Sequence, residues 1–442
     1  MHARGHQRQV GLCAHAQVSL VALLVTLCGC ASYAPKPLPA TPEWPSNVAT
    51  STAPLTVDQV VERALEHSPD VHRAERELDI ATARKYADGL LPDPQLSFST
   101  DRPGAVGFVP AFMVGLSYEV SALIDHQAKK RGAAAALEKQ HLALQWTKWQ
   151  VANRAYALYV SNVSLARVEA EVERLALHEQ VVDSRMWHAL ARGDVTRDIA
   201  MQSETAYRDS LQQLDTLRQD HLKAQQELAA LLDLSPGTHL LLATPPEPVD
   251  VPPEAVRDAL ANLGQRRPDL LALRAGYSEQ DEHYRAALLG QFPRLDIGVT
   301  RGRDTSAIYT SGISVTVTLP LFNGNRGNIA VEKATRESLY EEYTQRLKEA
   351  YVAVDNLVAT MNLLDDQLRN ARSLEASLDE ATRQARSAHA RGDVTLPALM
   401  DLELRRLNQR IATAKLQNSV FQQQVELCTL TGISAIDHQS LQ

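Results

Sequence analysis

The chain has 442 residues, with 45 Lys and Arg against 53 Asp and Glu, and a formal net charge of −8. That mildly acidic balance excludes a general nucleic-acid binder, which needs a basic face. Aromatic residues make up only 5% and the mean hydropathy is −0.24. This is lean for one large compact core and suits long helices packed side by side.

The N-terminus reads as an export signal. Arg4 and Arg8 form the basic start, and residues 18–27 form an apolar stretch too short to span a membrane. It runs into Leu27-Cys28-Gly29-Cys30, which resembles a bacterial lipobox apart from the less usual Cys28. On that resemblance residues 1–29 are cleaved and the Cys30 thiol carries diacylglycerol. A plain secretory cut nearby is the alternative. Ala31 stands where an Asp would hold a lipoprotein at the inner membrane, so sorting points to the outer membrane. Losing Arg4 and Arg8 takes the charge from −8 to −10, and leaves Cys30 and Cys428, no disulfide framework.

Residues 30–54 carry Pro35, Pro37, Pro39, Pro42 and Pro45 and read as an extended tether. Helical patterning starts at an N-cap, Thr56, pauses at Ser68-Pro69-Asp70, and continues to Gly89. After Leu91-Pro92-Asp93-Pro94 the period changes to two. Leu96 and Phe98 alternate with Gln95, Ser97 and Ser99; Val114, Leu116, Tyr118 and Val120 alternate with Gly115, Ser117, Glu119 and Ser121. A long helical pattern follows from about Asp125 to His188, and a shorter one from Thr196 to Leu232.

The second half repeats the first. Ala191-Arg192-Gly193-Asp194-Val195-Thr196 returns as Ala390-Arg391-Gly392-Asp393-Val394-Thr395, 199 positions on (390 − 191). Pro69-Asp70 and Pro268-Asp269, Glu227-Leu228 and Glu426-Leu427, and Ser235 and Ser434 keep the same register, which marks an internal duplication. Each Gly supplies a helix C-cap, and the Asp or Thr after it can cap the next helix. Helical pattern from Pro253 to Gly290 leads to two more alternating segments. These are Leu295, Ile297 and Val299, then Ile313, Val315, Val317 and Leu319. Helices follow from about Arg326 to His389 and from Thr395 to Leu430. Each long helix would reach roughly 95 Å, and each flanking pair laid end to end roughly 100 Å. A continuous helix can therefore run beside a stacked pair, with a Gly turn at the far tip and strands at the near end.

The expected organisation is a first repeat over 55–243 with strands at about 94–121. A Pro-rich linker at 244–253 follows, then a second repeat over 254–434 with strands at about 294–321, and a tail at 435–442. The fold class is mainly α with membrane β, an internally duplicated long-helix and β-hairpin repeat. The polar face of each hairpin is small and largely uncharged, which suits a barrel wall, greasy towards lipid and polar towards a lumen. Four strands are too few to close such a barrel, so the chain should oligomerise.

No catalytic constellation emerges, and neither a cofactor nor a metal site is expected. The 14 His are scattered. His67 and His72 lie five apart on an expected helix, off a shared face. Gly324-Asn325-Arg326-Gly327 reads as a strand-to-helix turn and not a phosphate cradle.

Together the lipobox, the duplicated helix–hairpin–helix pattern and the Gly-Asp-Val-Thr turns resemble the TolC family of outer membrane factors. So do Leu91-Pro92 and Phe292-Pro293 before the first strands, and residues 319–327 after the fourth. The resemblance implies a homotrimer with a trimeric α-barrel tunnel and a 12-strand β-barrel, set in outer membrane lipid. It implies a passive exit duct of a tripartite efflux system, working with a periplasmic membrane fusion protein and an inner-membrane pump of RND type. It places adaptor contacts at Gly193, Asp194, Val195 and Thr196, and at Gly392, Asp393, Val394 and Thr395. Family carboxylate rings fall six and nine positions after the second tip Gly, here Ala398 and Asp401, so Asp401 is the candidate constriction. The closing Tyr and Arg of some members fall at His389 and Val394, and that lock is not carried over. A duct for protein secretion served by an ATP-driven exporter is the rival in the same class. A non-pore periplasmic coiled-coil lipoprotein is the rival outside it, and would need no alternating strands.

Overall fold

The computed structural model describes residues 33–44, 53–104, 107–244 and 251–433. Residues 33–44 belong to a unit of their own and run without helix or strand, every one of them exposed. The other unit holds the regular structure of the described residues. Its first half contains α1 (Val57–His67), α2 (Pro69–Asp88), β1 (Gln95–Asp101), β2 (Ala111–Glu119), α3 (Ala122–Ala191) and α4 (Arg197–Leu231). Its second half contains α5 (Pro253–Ala261), α6 (Leu263–Arg266), α7 (Pro268–Leu289), β3 (Arg294–Arg303), β4 (Tyr309–Thr318), α8 (Arg326–Ala390) and α9 (Leu396–Thr431).

Local chemistry sets these boundaries. Thr56 and Gln59 make a reciprocal capping box: the Gln59 N–H donates to Thr56 Oγ1 at 3.4 Å, and the Thr56 N–H to Gln59 Oε1 at 3.0 Å. Pro69 and Pro268 each open a helix, where the missing N–H costs nothing. His67 and His72 therefore sit on two successive helices, not one as expected. The stretch expected as one helix from Pro253 to Gly290 is divided at Asn262 and Arg267. Asn325, in the left-handed region at φ 56°, turns the chain into α8, and its side-chain amide donates to Ala287 O at 2.7 Å, tying that turn to the end of α7.

The 70-residue α3 would measure about 105 Å and the 65-residue α8 about 98 Å. Along α3 lie α1 and α2 stacked end on, with α4 beyond them; along α8 lie α7 and α9. Helix α3 also packs on α7 and α9, so the two halves share one helical layer.

Where the short helices meet, the chain builds its main apolar core. Val60, Val61 and Val71 pack with Tyr156, Tyr159, Leu228, Leu232, Phe421 and Val425. The first strap into this region is pinned by a parallel bridge between Leu55 and Leu242. The buried Tyr159 hydroxyl donates to Ala243 O at 2.7 Å and lies 3.0 Å from Leu55 O. Burial also raises the Tyr159 phenol above its ordinary range and pushes the Cys428 thiol up to about 11, which keeps it an inert apolar filler.

A second fastening sits beside this core. The Arg267 side chain, 2% exposed, makes paired bonds to the Asp269 carboxylate at 2.9 and 2.7 Å. It also donates to Leu430 O at 3.3 Å and lies over the Trp146 ring at 5.1 Å. One guanidinium thus joins α7, α9 and α3. Arg267→Met should cost about 3–5 kcal/mol, because it leaves a poorly solvated carboxylate without its main partner. Thermal unfolding in detergent checks this; an unchanged midpoint would mean the pair contributes nothing net.

Candidate functional site

Two ends of the helical layer carry distinctive structure. At the far end both hexapeptides form the same turn. Gly193 has φ 77° and Gly392 φ 86°. The Gly193 N–H donates to Leu190 O and the Asp194 N–H to Ala189 O, both at 2.9 Å; Gly392 to His389 O and Asp393 to Ala388 O repeat those distances. This is the Schellman arrangement, which satisfies orphan carbonyls with one left-handed residue. A Cβ at either Gly would meet nothing within 4 Å, so glycine is required by backbone angle and not by space.

Thr196 and Thr395 occupy the next N-cap positions, as expected, but neither hydroxyl makes a cap bond. The aspartates do not cap either. Arg192 Nε holds Asp194 at 2.8 Å and Arg391 Nε holds Asp393 at 3.0 Å, in matching exposed ion pairs. Val195 and Val394 are half-buried between them. The tips differ at one point. His389 contacts Val394 O through a ring nitrogen at 2.8 Å, whereas the first tip has Leu190 at the corresponding position.

Asp401 lies two turns into α9, and Arg405 Nε donates to its carboxylate at 2.8 Å. Both are exposed, so the pair is worth at most about 1 kcal/mol, but it offsets the aspartate's local field. Farther along, charged residues tie three helices together. Glu171 of α3, nearly buried, accepts from Arg174 at 2.8 Å and from Arg410 of α9 at 3.2 Å. Arg410 also lies 3.9 Å from Glu375 of α8. Nearer the tip, Glu403 of α9 accepts from Arg386 of α8 at 2.8 Å and lies 3.8 Å from His178 of α3.

At the opposite end the strands form one antiparallel sheet, β1-β2-β3-β4, so both hairpins join through the β2–β3 pair. The register puts Leu96, Leu116, Val299 and Ile313 in one cross-strand row, with Tyr118, Ile297 and Val315 in the next. The opposite face carries Ser97, Gly115, Thr300 and Gly312, then Ser117, Gly298 and Ser314. No helix packs across either face, and Ile313 is 78% exposed. At the loop end Phe112 meets Tyr309 edge-on at 6.4 Å, with Arg303 over the Phe112 ring at 5.8 Å. Among the described residues, nothing pairs with the outer edges of β1 and β4.

The chain aligns with known proteins along most of this length. The family model for outer membrane efflux proteins matches residues 259–433. The probable outer membrane lipoprotein SilC of Salmonella typhimurium is 24% identical over 434 residues, covering 87% of this chain and 91% of that one. Over these stretches the chain is similar to outer membrane efflux proteins. The cation efflux system protein CusC of Escherichia coli O157:H7 is 21% identical over 376 residues, covering 78% of this chain and 79% of that one. In fold the chain is similar to the outer-membrane channel OprN, with TM-score 0.69 at 17% identity over 86% of this chain and 90% of that one. The proteins it is similar to are described as outer membrane efflux proteins, lipoproteins and channels.

The structure brings the two expected tips to the same kind of turn, and puts Asp401 on the helix leaving the second. Cys30 lies outside the described residues. Sequence reasoning missed the partners of these groups. The i,i+4 spacing of Asp401 and Arg405 was a usable signal; the Glu171–Arg410 and Glu403–Arg386 contacts join distant positions and left none.

No helix of the described residues is long and apolar enough to cross a membrane. Gly193→Val or Gly392→Val should each strain its turn by about 1–2 kcal/mol, since a β-branched residue is forced left-handed. Faster hydrogen exchange confined to the flanking helical turns, with the protein still reaching the outer membrane and resistance lost, is the expected result. Loss of the protein from the membrane would mean that the glycines act only as caps.

Proposed function

We propose that this chain is the exit duct of a tripartite efflux pump, and that three copies make it. The observation carrying this reading is the single four-strand sheet, with one exposed apolar face, one small polar face and two open edges. Three such sheets joined edge to edge give a 12-strand barrel, apolar towards lipid and polar towards a water-filled lumen. β2, β3 and β4 run 9, 10 and 10 residues, within the about 9–11 that a tilted strand needs to cross a bilayer, and β1 runs 7. Their even number lets β4 of one copy meet β1 of the next antiparallel, so the closed ring leaves no edge.

Below the barrel, the three helical layers close into a tunnel across the periplasm. Its tips, at Gly193, Asp194, Val195 and Thr196 and at Gly392, Asp393, Val394 and Thr395, receive the periplasmic membrane fusion protein. The left-handed glycines let a partner's backbone approach closely. An inner-membrane pump of RND type supplies the energy, and lipid on Cys30 anchors the mature N-terminus. The repeat boundaries at residues 55–243 and 254–434 belong to this reading. The cargo class follows the kinship to a protein named for cation efflux, so cations are the first choice.

Threefold symmetry would set three Asp401 carboxylates in a ring at the tunnel entrance, favouring cations. Arg405 tempers that field. In planar bilayers the purified protein should give discrete conductance steps. Asp401→Ala should lower cation preference, while Arg405→Gln, which frees the carboxylate, should raise it. If neither variant changes the reversal potential, the Asp401 ring is not the constriction; if no steps occur at all, the duct itself is wrong.

A further inference from the structure

The apolar face of the sheet carries charge at one end only, and of one sign. The face that bears Leu96, Leu116, Val299 and Ile313 also bears Arg301, opposite Val114 and Ser311, and Arg303, opposite Phe112 and Tyr309. Every other paired strand residue on that face is uncharged. The carboxylates of the strands, Asp101, Glu119 and Asp296, belong to the opposite face. Asp304, in the loop after β3, is taken up by its own turn, where its Oδ1 accepts from the Ser306 and Ile308 N–H groups at 2.8 and 2.9 Å.

The two arginines differ in what holds them. Arg303 is fixed: its Nη2 donates to Pro110 O at 2.8 Å and its guanidinium lies over the Phe112 ring at 5.8 Å. Arg301 is exposed, and its side chain makes no hydrogen bond or ion pair among the described residues. They stand two residues apart on one strand, about 7 Å along it. A guanidinium without a partner on a lipid-facing wall is costly at the bilayer midplane and tolerated near its surface. Arg301 also forms part of the lining of an open depression of about 650 Å³ that crosses β2, β3 and β4. The rest of that lining is largely apolar, with Leu116, Val299 and Ile313 on the side away from the loops.

We infer that this depression is a lipid-binding site, in which an acyl chain lies along Leu116, Val299 and Ile313 while Arg301, with Arg303 beside it, holds the phosphate above that chain. The inference rests on the barrel reading above, in which the loop end, away from the helical layer, lies in the outer leaflet. The occupant is the phosphorylated glycolipid of that leaflet, whose phosphates sit on sugars directly above several acyl chains. A guanidinium matches phosphate with paired charge-assisted hydrogen bonds. The lipid supplies the anion that Arg301 lacks within the chain, and covers Val299 and Ile313, which are 59% and 78% exposed.

Native mass spectrometry of the detergent-solubilised protein tests it, by titration with phosphorylated lipid A, with dephosphorylated lipid A and with phosphatidylglycerol. Phosphorylated lipid A should be retained, and Arg301→Gln should weaken that retention about tenfold or more. Removing the phosphates should do the same, whereas Arg294→Gln, on the opposite face of β3, should bind as the unaltered protein does. Equal retention of lipid A by Arg301→Gln would overturn the site. Phosphatidylglycerol bound as tightly as lipid A would overturn the glycolipid as occupant, and displacement by inorganic phosphate alone would reduce the site to one for a free anion. Planar-bilayer recordings separate this inference from the barrel reading. Conductance steps kept by Arg301→Gln while lipid A is lost support the site; loss of both would make Arg301 a structural residue and overturn it. An unaltered protein that gives no steps at all would bring down the barrel, and the lipid site with it.

Discussion

An unpaired strand edge cannot be left in hydrocarbon, and under the proposed barrel that constraint governs the molecule. In lipid each unsatisfied N–H or C=O costs several kcal/mol, so a spanning sheet must close on itself. One copy supplies four strands whose central pairs are complete and whose two outer edges are not. Among the described residues, nothing is folded to cover them. Helix α7 ends before β3 and α8 begins after β4, and neither lies against the sheet. Under the proposed barrel, the open edges and the apolar face are what neighbouring copies would complete.

The helical layer answers a different constraint, that of length. Two continuous helices of 70 and 65 residues need partners along their whole reach, and stacked shorter helices supply them. Stacking introduces breaks, and polar fastenings stand at some of the helix ends it creates as well as along the helices. Arg267 and Asp269 stand at the α6–α7 break, and the Thr56 capping box stands at the start of α1. Farther down, a smaller apolar cluster of Val168, Val172, Leu175, Leu214, Leu217, Leu407 and Ile411 is flanked by ion pairs such as Glu171–Arg410 and Glu403–Arg386. Such contacts hold helices in register with a modest net gain and can be exchanged at small cost.

Much of this was legible in the sequence because it rests on local rules. The change of period from 3.6 to 2 located all four strands, and the repeated Arg-Gly-Asp-Val-Thr located both turns, since only a left-handed glycine closes a Schellman turn without strain. The Thr56 cap was readable for the same reason. What could not be read depends on residues far apart in the chain. The role of Arg267 needs Trp146 and Leu430 beside it, and nothing in the stretch around it announces a buried guanidinium. Thr196 and Thr395 show the limit of a local rule: they hold the cap position with hydroxyls that make no cap bond. At the tips the aspartates had an alternative partner two residues back, and the side chains chose the arginine.

The most direct test of closure is to ask whether β4 of one copy touches β1 of another. Cysteines placed on the polar face at Ser99 of β1 and Ser314 of β4, in one chain and in membranes, can be oxidised and the products sized on a non-reducing gel. Neighbouring register positions such as Ser97 and Thr316 cover any offset. The account expects species at two and three times the 48.7 kDa of one chain, less its signal, and nothing larger. A product that stays monomeric at every pair tried, or a ladder that runs on past three, would contradict a closed ring of three sheets.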